Sequence, residues 1–568
     1  MQPGTAKAML ASFFIALALL HCTLLNAQSR LPQQGAADAA AQPLLTFSSH
    51  SELVLVPVII RDHRGAHVTN LKKEAFSVGE AGGERTIAVF EEVVANSERV
   101  VTPKLNQSVY TNDRGAASAR RLVVLALDTI NTPITDQVRA RKQMLKFLSQ
   151  GLDPDALISV VALTPAGLKV IHDFTTETSV LISAVSTLSG KSAFSEQNPQ
   201  TIPADDSALQ SEVTQLNALT DTVSQSAVAG QKQLAIRWTY DALTQIAQAY
   251  AGVPGRKSLI WVTAGFPFSF ADNNSQIAAV GGNGDVSDDL DAYQQMWQAL
   301  SQANFAVYPV DARGFVNAAM IPASTGAKYI GAGKLALPNL SIAQLSAQNA
   351  SFETFRDLAE MTGGKAFFNT NDLSKSFREA SSDSSSYYLL GFYLARDAQP
   401  GWHDLKVKVH GSGMQVRARS GYLVAKKNDA NDRKNDIRNA LLSPLDSTAL
   451  PLEVRWKDQT RAPGATKTTA SFDVMLTPAA ITVNGSDNNH MKFDVIAVAK
   501  QPDGTIAGTA QKAFDAHIGA ANAARIEKLG MFYEGKFELP AGQYMVRFLV
   551  EDFVTGRVGS VSAPLTVK

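Results

Sequence analysis

The chain has 568 residues, 45% hydrophobic and 18% charged, with 52 Lys plus Arg against 52 Asp plus Glu. This length predicts three or four domains at ~150 residues each. The charge balance removes any global electrostatic argument for nucleic acid or an anionic membrane, so neither is expected as a partner.

Residues 1–27 read as a signal peptide. Lys7 supplies the positive start, Met9 to Leu20 is an apolar run short for a membrane span, and Leu25-Asn26-Ala27 reads as a cleavage site, with lipidation at Cys22 or an uncleaved anchor as the less favoured alternatives. The predicted location is therefore secreted or periplasmic, in the cell envelope. The single cysteine, Cys22, falls inside this segment. Cleavage would leave a mature chain without disulfides or thiolate chemistry. No other apolar run is long enough to cross a membrane.

Residues 28–49, rich in Ala, Gln and Pro, read as a flexible tether. Short β-branched runs between Gly-containing turns predict the first half of a small β domain over 50–95, and 96–120 reads as a linker. From Arg121 the pattern alternates strand and helix. Val123-Val124-Leu125-Ala126-Leu127 ends at Asp128, and an amphipathic helix carrying Val138, Met144, Leu145 and Leu148 follows. Further strands are expected at 157–163, 258–263, 305–310 and 387–393, giving an α/β domain over 121–395 with a polar insertion at about 192–231. Such alternation predicts an open, mostly parallel, Rossmann-like sheet with helices on both faces. Residues 396–425 read as a β-hairpin that completes the small β domain, with Arg417 and Arg419 facing solvent. A charged linker, 426–446, precedes an immunoglobulin-like β-sandwich over 447–568.

Several motifs resemble the von Willebrand factor A-related proteins of the acidobacterial type. They are Val124 to Asp128 with Asn131-Thr132, Val307-Tyr308-Pro309-Val310-Asp311-Ala312-Arg313-Gly314, Leu358 to Gly364, Asn371-Asp372-Leu373, Tyr387 to Tyr393 and Arg417 to Tyr422. Together they cover roughly residues 50–425 and are specific as a set. The resemblance implies a secreted or envelope protein with a von Willebrand factor A-like sheet, a fold that mostly binds proteins, often through a divalent cation.

In that family the first strand leads into Asp-x-Ser-x-Ser, part of a metal-ion-dependent adhesion site. Here the Ser positions read Ile130 and Thr132, Asn131 stands where Gly is usual, Arg237 falls near the helix-start Thr with Thr239 close by, and Ala264 falls where a later Asp is expected. Hard oxygen ligands are what Mg²⁺ requires, and only Asp128 and Thr132 survive. The site is therefore read as degenerate, with no cofactor expected and Mg²⁺ at Asp128 and Thr132 the less favoured alternative. The bland reading is that Asp128 caps the helix or binds loop amides, with Arg237 as a candidate salt-bridge partner. Asp311 and Arg313 read either as part of the same edge or, preferred, as a pair that fixes their loop.

Other motifs carry less. His63 and His67 lack the His-Glu-x-x-His zinc pattern, Ser189-Gly190-Lys191-Ser192 lacks the rest of a P-loop, no Gly-x-Ser-x-Gly occurs, and the Asp285, Asp288, Asp289 and Asp291 cluster fits no calcium loop. The expected function is a non-enzymatic module that grips a protein ligand through an edge comprising Asp128, Asn131, Thr132, Arg237, Thr263, Asp311 and Arg313. A structural envelope scaffold is the alternative, and a hydrolase using Asp128 the least favoured.

Overall fold

The computed structural model describes residues 53–80, 82–94, 109–113, 121–150, 153, 156–188, 230–231, 233–266, 269–271, 276–278, 286–315, 352–395, 398–424, 430–483 and 489–568. The predicted signal peptide with Cys22, the tether, most of the polar insertion, the Ser189–Ser192 stretch and the side chains of Asp285 to Asp291 lie outside the described residues.

In chain order, β1 (Leu53–Arg61), β2 (Phe76–Glu80), β3 (Gly83–Arg85) and β4 (Val89–Val94) come first, followed by β5 (Val109–Thr111). Then come β6 (Arg121–Asp128), helix α1 (Ile134–Ser149), β7 (Ala156–Thr164), β8 (Gly167–Thr175), α2 (Thr178–Ser186), α3 (233–249) and β9 (Lys257–Thr263). A short pair, β10 (Ser269–Ala271) and β11 (Gln276–Ala278), leads to α4 (Val286–Gln302), β12 (Phe305–Asp311), α5 (352–362) and α6 (Leu373–Ser382). The strands β13 (Ser386–Tyr393), β14 (Gly401–Val409), β15 (Gln415–Arg417) and β16 (Gly421–Val424) follow.

One five-stranded sheet has the order β12-β9-β6-β7-β8. Its first four strands run parallel, and β8 closes the edge antiparallel to β7. Every residue of β6, β9 and β12 is buried, as expected of strands covered on both sides. Alternation along β6 divides the core. Val124 and Ala126 pack with Tyr240, Leu243 and Ile246 of α3 and Met296 and Leu300 of α4. Val123, Leu125 and Leu127 pack with Met144, Phe147 and Leu148 of α1 and Phe377 of α6.

The expectation of an open, mostly parallel, von Willebrand factor A-like (Rossmann-like) sheet as the fold class is overturned. Among the described residues, five of the six sheets are antiparallel throughout, and parallel pairing is confined to three strand pairs. The chain is mainly antiparallel β. The reason is one of proportion: uninterrupted apolar runs are the easiest strands to see in a sequence, whereas the half-exposed strands around them are more numerous and individually faint.

Segments 53–94 and 386–424 share two four-stranded sheets, β15-β1-β13-β4 and β16-β14-β2-β3. Val56, Val58, Ile60, Val78, Tyr388 and Leu390 fill the core between them. Two expectations are corrected here. Ser386–Tyr393 does not close the α/β sheet; it lies antiparallel between β1 and β4. The predicted hairpin at 396–425 is not a hairpin, because β14 pairs with β2 and β16 whereas β15 pairs with β1. Gly411 (φ 137°) and Gly413 (φ 77°) carry the chain from one sheet to the other.

The C-terminal part contains α7 (Ala430–Leu442), β17 (Leu452–Thr460), β18 (Thr468–Leu476), β19 (His490–Lys500), β20 (Ile506–His517), α8 (Ala520–Leu529), β21 (Met531–Leu539), β22 (Gly542–Asp552) and β23 (Arg557–Val567). Two four-stranded sheets, β21-β18-β17-β5 and β20-β19-β22-β23, enclose one core of Val454, Phe472, Val495, Val546 and Phe548. Strand β5, inside the stretch 96–120 whose composition suggests a linker, belongs to this unit: Val109 to Thr111 pair with β17, and the Asn112 amide donates to the carbonyls of Ser447 and Leu450. The expected charged linker is in part the helix α7, whose Ala440 packs with Leu549.

Candidate functional site

The C-terminal ends of β6, β9 and β12 converge because the parallel register sets Leu127 beside Val262 and Thr263 beside Asp311. Asp128 ends β6 with no exposed surface. Its Oδ1 accepts from the amides of Ile130 (2.9 Å) and Asn131 (3.0 Å). Its Oδ2 accepts from Asn131 Nδ2 (2.8 Å) and Thr263 Oγ1 (2.9 Å). Burial pushes the carboxyl above the usual range, and the hydrogen bonds from Asn131, Thr263 and Ile130 oppose that rise.

Asn131 Nδ2 also donates to Thr239 Oγ1 at 2.9 Å. One side-chain amide thus bridges an acidic oxygen on the β6 loop and a hydroxyl on α3. Its orientation follows from charge, since the flipped amide would set its oxygen against the Asp128 carboxylate. Thr239 Oγ1 in turn donates to the Ala235 carbonyl (2.7 Å). Thr132 Oγ1 accepts from the Ala264 amide (3.1 Å), and Ile130 is packed into the apolar core.

These residues do not fit a divalent cation. The point between Asp128 and Thr239 is filled by an N–H donor, the lone pairs of Asp128 are taken by protein donors, and the Thr132 hydroxyl is engaged with backbone. Mg²⁺ demands oxygen ligands in near-octahedral geometry, and no such set is assembled. Among the described residues no group of three or more His, Cys, Asp or Glu side chains converges as a metal site. His67, considered as a zinc ligand, sits 3.3 Å from Glu92 and stacks on Tyr388.

Arg237 is not the partner of Asp128. It pairs with Asp241 (3.9 Å), which Arg438 approaches from the other side (3.5 Å). The α3 residue that reaches the Asp128 loop is Thr239, two positions further on.

Asp311 is equally buried, and Arg313 encloses it. Asp311 Oδ1 accepts from the Arg313 amide (3.0 Å) and Nε (2.9 Å), and Oδ2 accepts from Nη2 (2.9 Å). Arg139 of α1 donates to the Arg313 carbonyl, tying the β12 loop to the first turns of α1. Gly314 (φ 77°) turns the chain there, and a Cβ on it would meet Asn371 Oδ1 at 2.8 Å. The Phe315 amide donates to that same Asn371 oxygen (2.9 Å).

Around this closed polar centre stand large apolar side chains open to solvent: Ile134 (45% exposed), Val138 (50%) and Phe315 (54%). Val138 was expected on the core face of its helix. That face is instead Ala140, Met144, Phe147 and Leu148 with Gln137, and Val138 turns outward. Arg417 and Arg419 do not simply face solvent either. Arg417 pairs with the buried carboxylate of Asp383, which Arg61 also holds (2.8 Å), and Arg419 Nη1 donates to Ser301 Oγ (3.0 Å). Among the described residues no helix is long and apolar enough to cross a membrane.

No family model matches this sequence, and no curated protein matches it. Among solved structures, a Bacteroides fragilis protein described as a proposed beta-galactosidase aligns over 32% of this chain and 26% of its own, at 13% identity and a TM-score of 0.15. This chain thus spans about a quarter of that protein's length, and a likeness so slight carries no argument.

Proposed function

We propose that the chain is a secreted or envelope-associated binding protein. It grips a protein ligand through the loops that follow β6, β9 and β12, and it does so without a divalent cation. The supporting observation is a division of labour at that edge. Asp128, Thr132, Thr239 and Asp311 are spent on internal hydrogen bonds, whereas Ile134, Val138 and Phe315 each leave about half of their surface open to solvent. An apolar patch rimmed by satisfied polar groups is the usual composition of a protein-binding surface. Arg139 links the two halves of the patch, since it follows Val138 and bonds the carbonyl two residues before Phe315. The apolar segment Met9 to Leu20 supports export.

A hydrolase centred on Asp128 has less support. A carboxylate that already accepts four hydrogen bonds has no lone pair free to take a proton from water. The test is capture of envelope proteins by the full chain and by the Val138→Asp/Phe315→Asp double variant, each with and without chelator. The proposal expects a ligand retained by the parent chain in both conditions and lost by the double variant. Capture that needs Mg²⁺, or that survives both substitutions, would overturn it.

A further inference from the structure

The overall balance of 52 cations and 52 anions conceals a local excess beside the proposed edge. On α1, Ile134, Val138, Lys142 and Lys146 recur every four residues and are all exposed, so one stripe of the helix turns from apolar to basic. Helix α6 packs alongside the basic half. Phe377 meets Phe147 edge-on (5.8 Å between ring centres), Ser374 Oγ donates to Gln150 Oε1 (3.0 Å), and Asp372 pairs with Lys146 (3.1 Å). The exposed side of α6 adds Lys375 and Arg378, and the Arg378 guanidinium reaches Gln150 just past the end of α1.

The carboxylates of this face are already spent. Asp136 faces Arg139 (3.4 Å), and Arg313 encloses Asp311. Asp372 holds Lys146 and accepts from the Lys375 amide (3.4 Å), and Glu379 pairs with Lys365. Arg141, Lys142, Lys375 and Arg378 are left, and none of them pairs with a carboxylate among the described residues. Arg141 donates to the Leu188 carbonyl and Arg378 to Ser374 Oγ (3.0 Å), contacts that hold the groups without neutralising them. Clustered like charges repel one another and attract an anionic ligand, whose arrival relieves the repulsion.

A lipid surface is a poor complement. A helix that lies in a membrane interface lays a whole apolar face into it. Helix α1 instead buries its apolar face, Met144, Phe147 and Leu148, against the sheet. What stays outside is a small anchor, Val138 with Ile134 and Phe315, at the head of a basic stripe. Its complement is a short peptide with one apolar residue near several carboxylates. Helix geometry sets the spacing: Lys142 and Lys146 lie about 6 and 12 Å along the axis from Val138. An extended chain covers those distances in about two to four residues.

We propose that the basic face of α1 and α6 receives an acidic segment of the protein ligand, an extended peptide with an apolar residue on the Val138 anchor and Asp or Glu two to four positions away. This rests on the reading of the edge as a protein-binding surface and names the chemistry of what it binds.

The experiment titrates the full chain, followed by ligand-observed NMR, with acetyl-Ser-Phe-Ser-Asp-Glu-Asp-amide, its neutral twin acetyl-Ser-Phe-Ser-Asn-Gln-Asn-amide, and the anchorless acetyl-Ser-Ser-Ser-Asp-Glu-Asp-amide. The first is expected to bind about tenfold more tightly than either twin, through several weak surface ion pairs acting together. Its advantage over the neutral twin should shrink between about 50 and about 500 mM NaCl, as screening predicts. Lys142→Glu/Lys375→Glu, at two exposed positions, should weaken the acidic peptide about tenfold and leave the neutral one unchanged. Val138→Ser/Phe315→Ser should weaken both Phe-containing peptides. Equal affinity for acidic and neutral peptides, no binding of the acidic peptide, or no loss with Lys142→Glu/Lys375→Glu would overturn the proposal. Phosphatidylglycerol vesicles that displace the acidic peptide would overturn it in favour of a membrane. Envelope capture separates the two readings. A ligand kept by Lys142→Glu/Lys375→Glu but lost by Val138→Asp/Phe315→Asp overturns the acidic preference and leaves the edge standing, whereas capture that survives Val138→Asp/Phe315→Asp overturns the edge itself.

Discussion

At the C-terminal ends of β6 and β12 two carboxylates are fully buried, and each is enclosed by donors from its own neighbourhood: Asp128 by Ile130, Asn131 and Thr263, Asp311 by Arg313. At the N-terminal end of β9 the buried groups are cations, Arg256 and Lys257 with Arg419 beside them, and their acceptors are carbonyls and hydroxyls rather than carboxylates. The same sheet therefore carries a polar end whose hydrogen bonds are closed and one where they are left open. A buried charge whose hydrogen bonds are complete is part of the structure and has little left for a ligand. A buried charge with an orphaned N–H, such as the Nε of Arg256 or Arg419, retains an unmet electrostatic demand that costs stability.

The strongest way to break this contrast is to undo the closed end at Asn131. Asn131→Asp replaces the donor between Asp128 and Thr239 with a second carboxylate, at a partly buried position beside the fully buried Asp128. Like-charge repulsion and lost hydrogen bonds should cost about 3–5 kcal/mol at pH 7, read by urea unfolding. Asn131→Ala, which removes the donor without adding charge, should cost about 1–3 kcal/mol. If the Asp variant were within 1 kcal/mol of the parent, as judged by that measurement, the closed-end account would be wrong. Arg313→Ala strips the partner from buried Asp311. Breaking a buried pair typically costs about 3–5 kcal/mol, but Arg313 is a quarter exposed and water can partly replace it, so about 2 kcal/mol is expected.

Lys257 tests the other end by pH. Burial pushes its amine down from 10.5 to about 7. A base with a depressed value in the folded state costs stability while it must carry its proton. That cost is full below pH 7 and fades as pH rises toward 10.5, where the unfolded chain also loses the proton. Stability of the parent relative to Lys257→Met should therefore rise across this window by a few kcal/mol, up to about 5 for the full shift, while the hydrogen bonds the variant lacks add only a constant offset. A flat difference between the two proteins would mean that the ammonium is compensated, and the open end would lose one of its cations.

Part of this contrast is readable from the chain, and the physics of each element decides which part. Val123 to Asp128 is evident because a strand buried on both faces must be apolar at every position up to its end, so Asp128 stands out as the terminal carboxylate. Its partners are less evident. Counting along α3 leaves Arg237 and the nearby Thr239 both in reach of the loop, but two residues turn a helix by about 200°, and the residue that arrives is Thr239. Alternation likewise marks Leu405-Lys406-Val407 and Gln415-Val416-Arg417 as strands without saying whether they pair with each other, and they join different sheets. The open end is not legible at all. Arg256 and Arg419 lie far apart in the chain and meet only because the small β unit packs on the sheet's N-terminal end, so no spacing rule links them.

The smallest effect on stability sharpens the contrast most. Val138→Asp and Phe315→Asp add a charge at positions that are already half exposed, so each should change unfolding free energy by no more than about 0.5 kcal/mol. Core side chains of the same helix behave differently: Met144 and Leu148 are completely buried, and truncating either to Ala should cost about 2–5 kcal/mol. If Val138→Asp proved as costly as Leu148→Ala in thermal and urea unfolding, the residue would belong to the core and the edge would have no apolar surface to offer. A neutral result, by contrast, would mean that folding does not require an exposed Val at the rim of a polar centre already closed. The surface would then be free for the partner that the proposed edge requires, and the capture experiment decides whether one binds there.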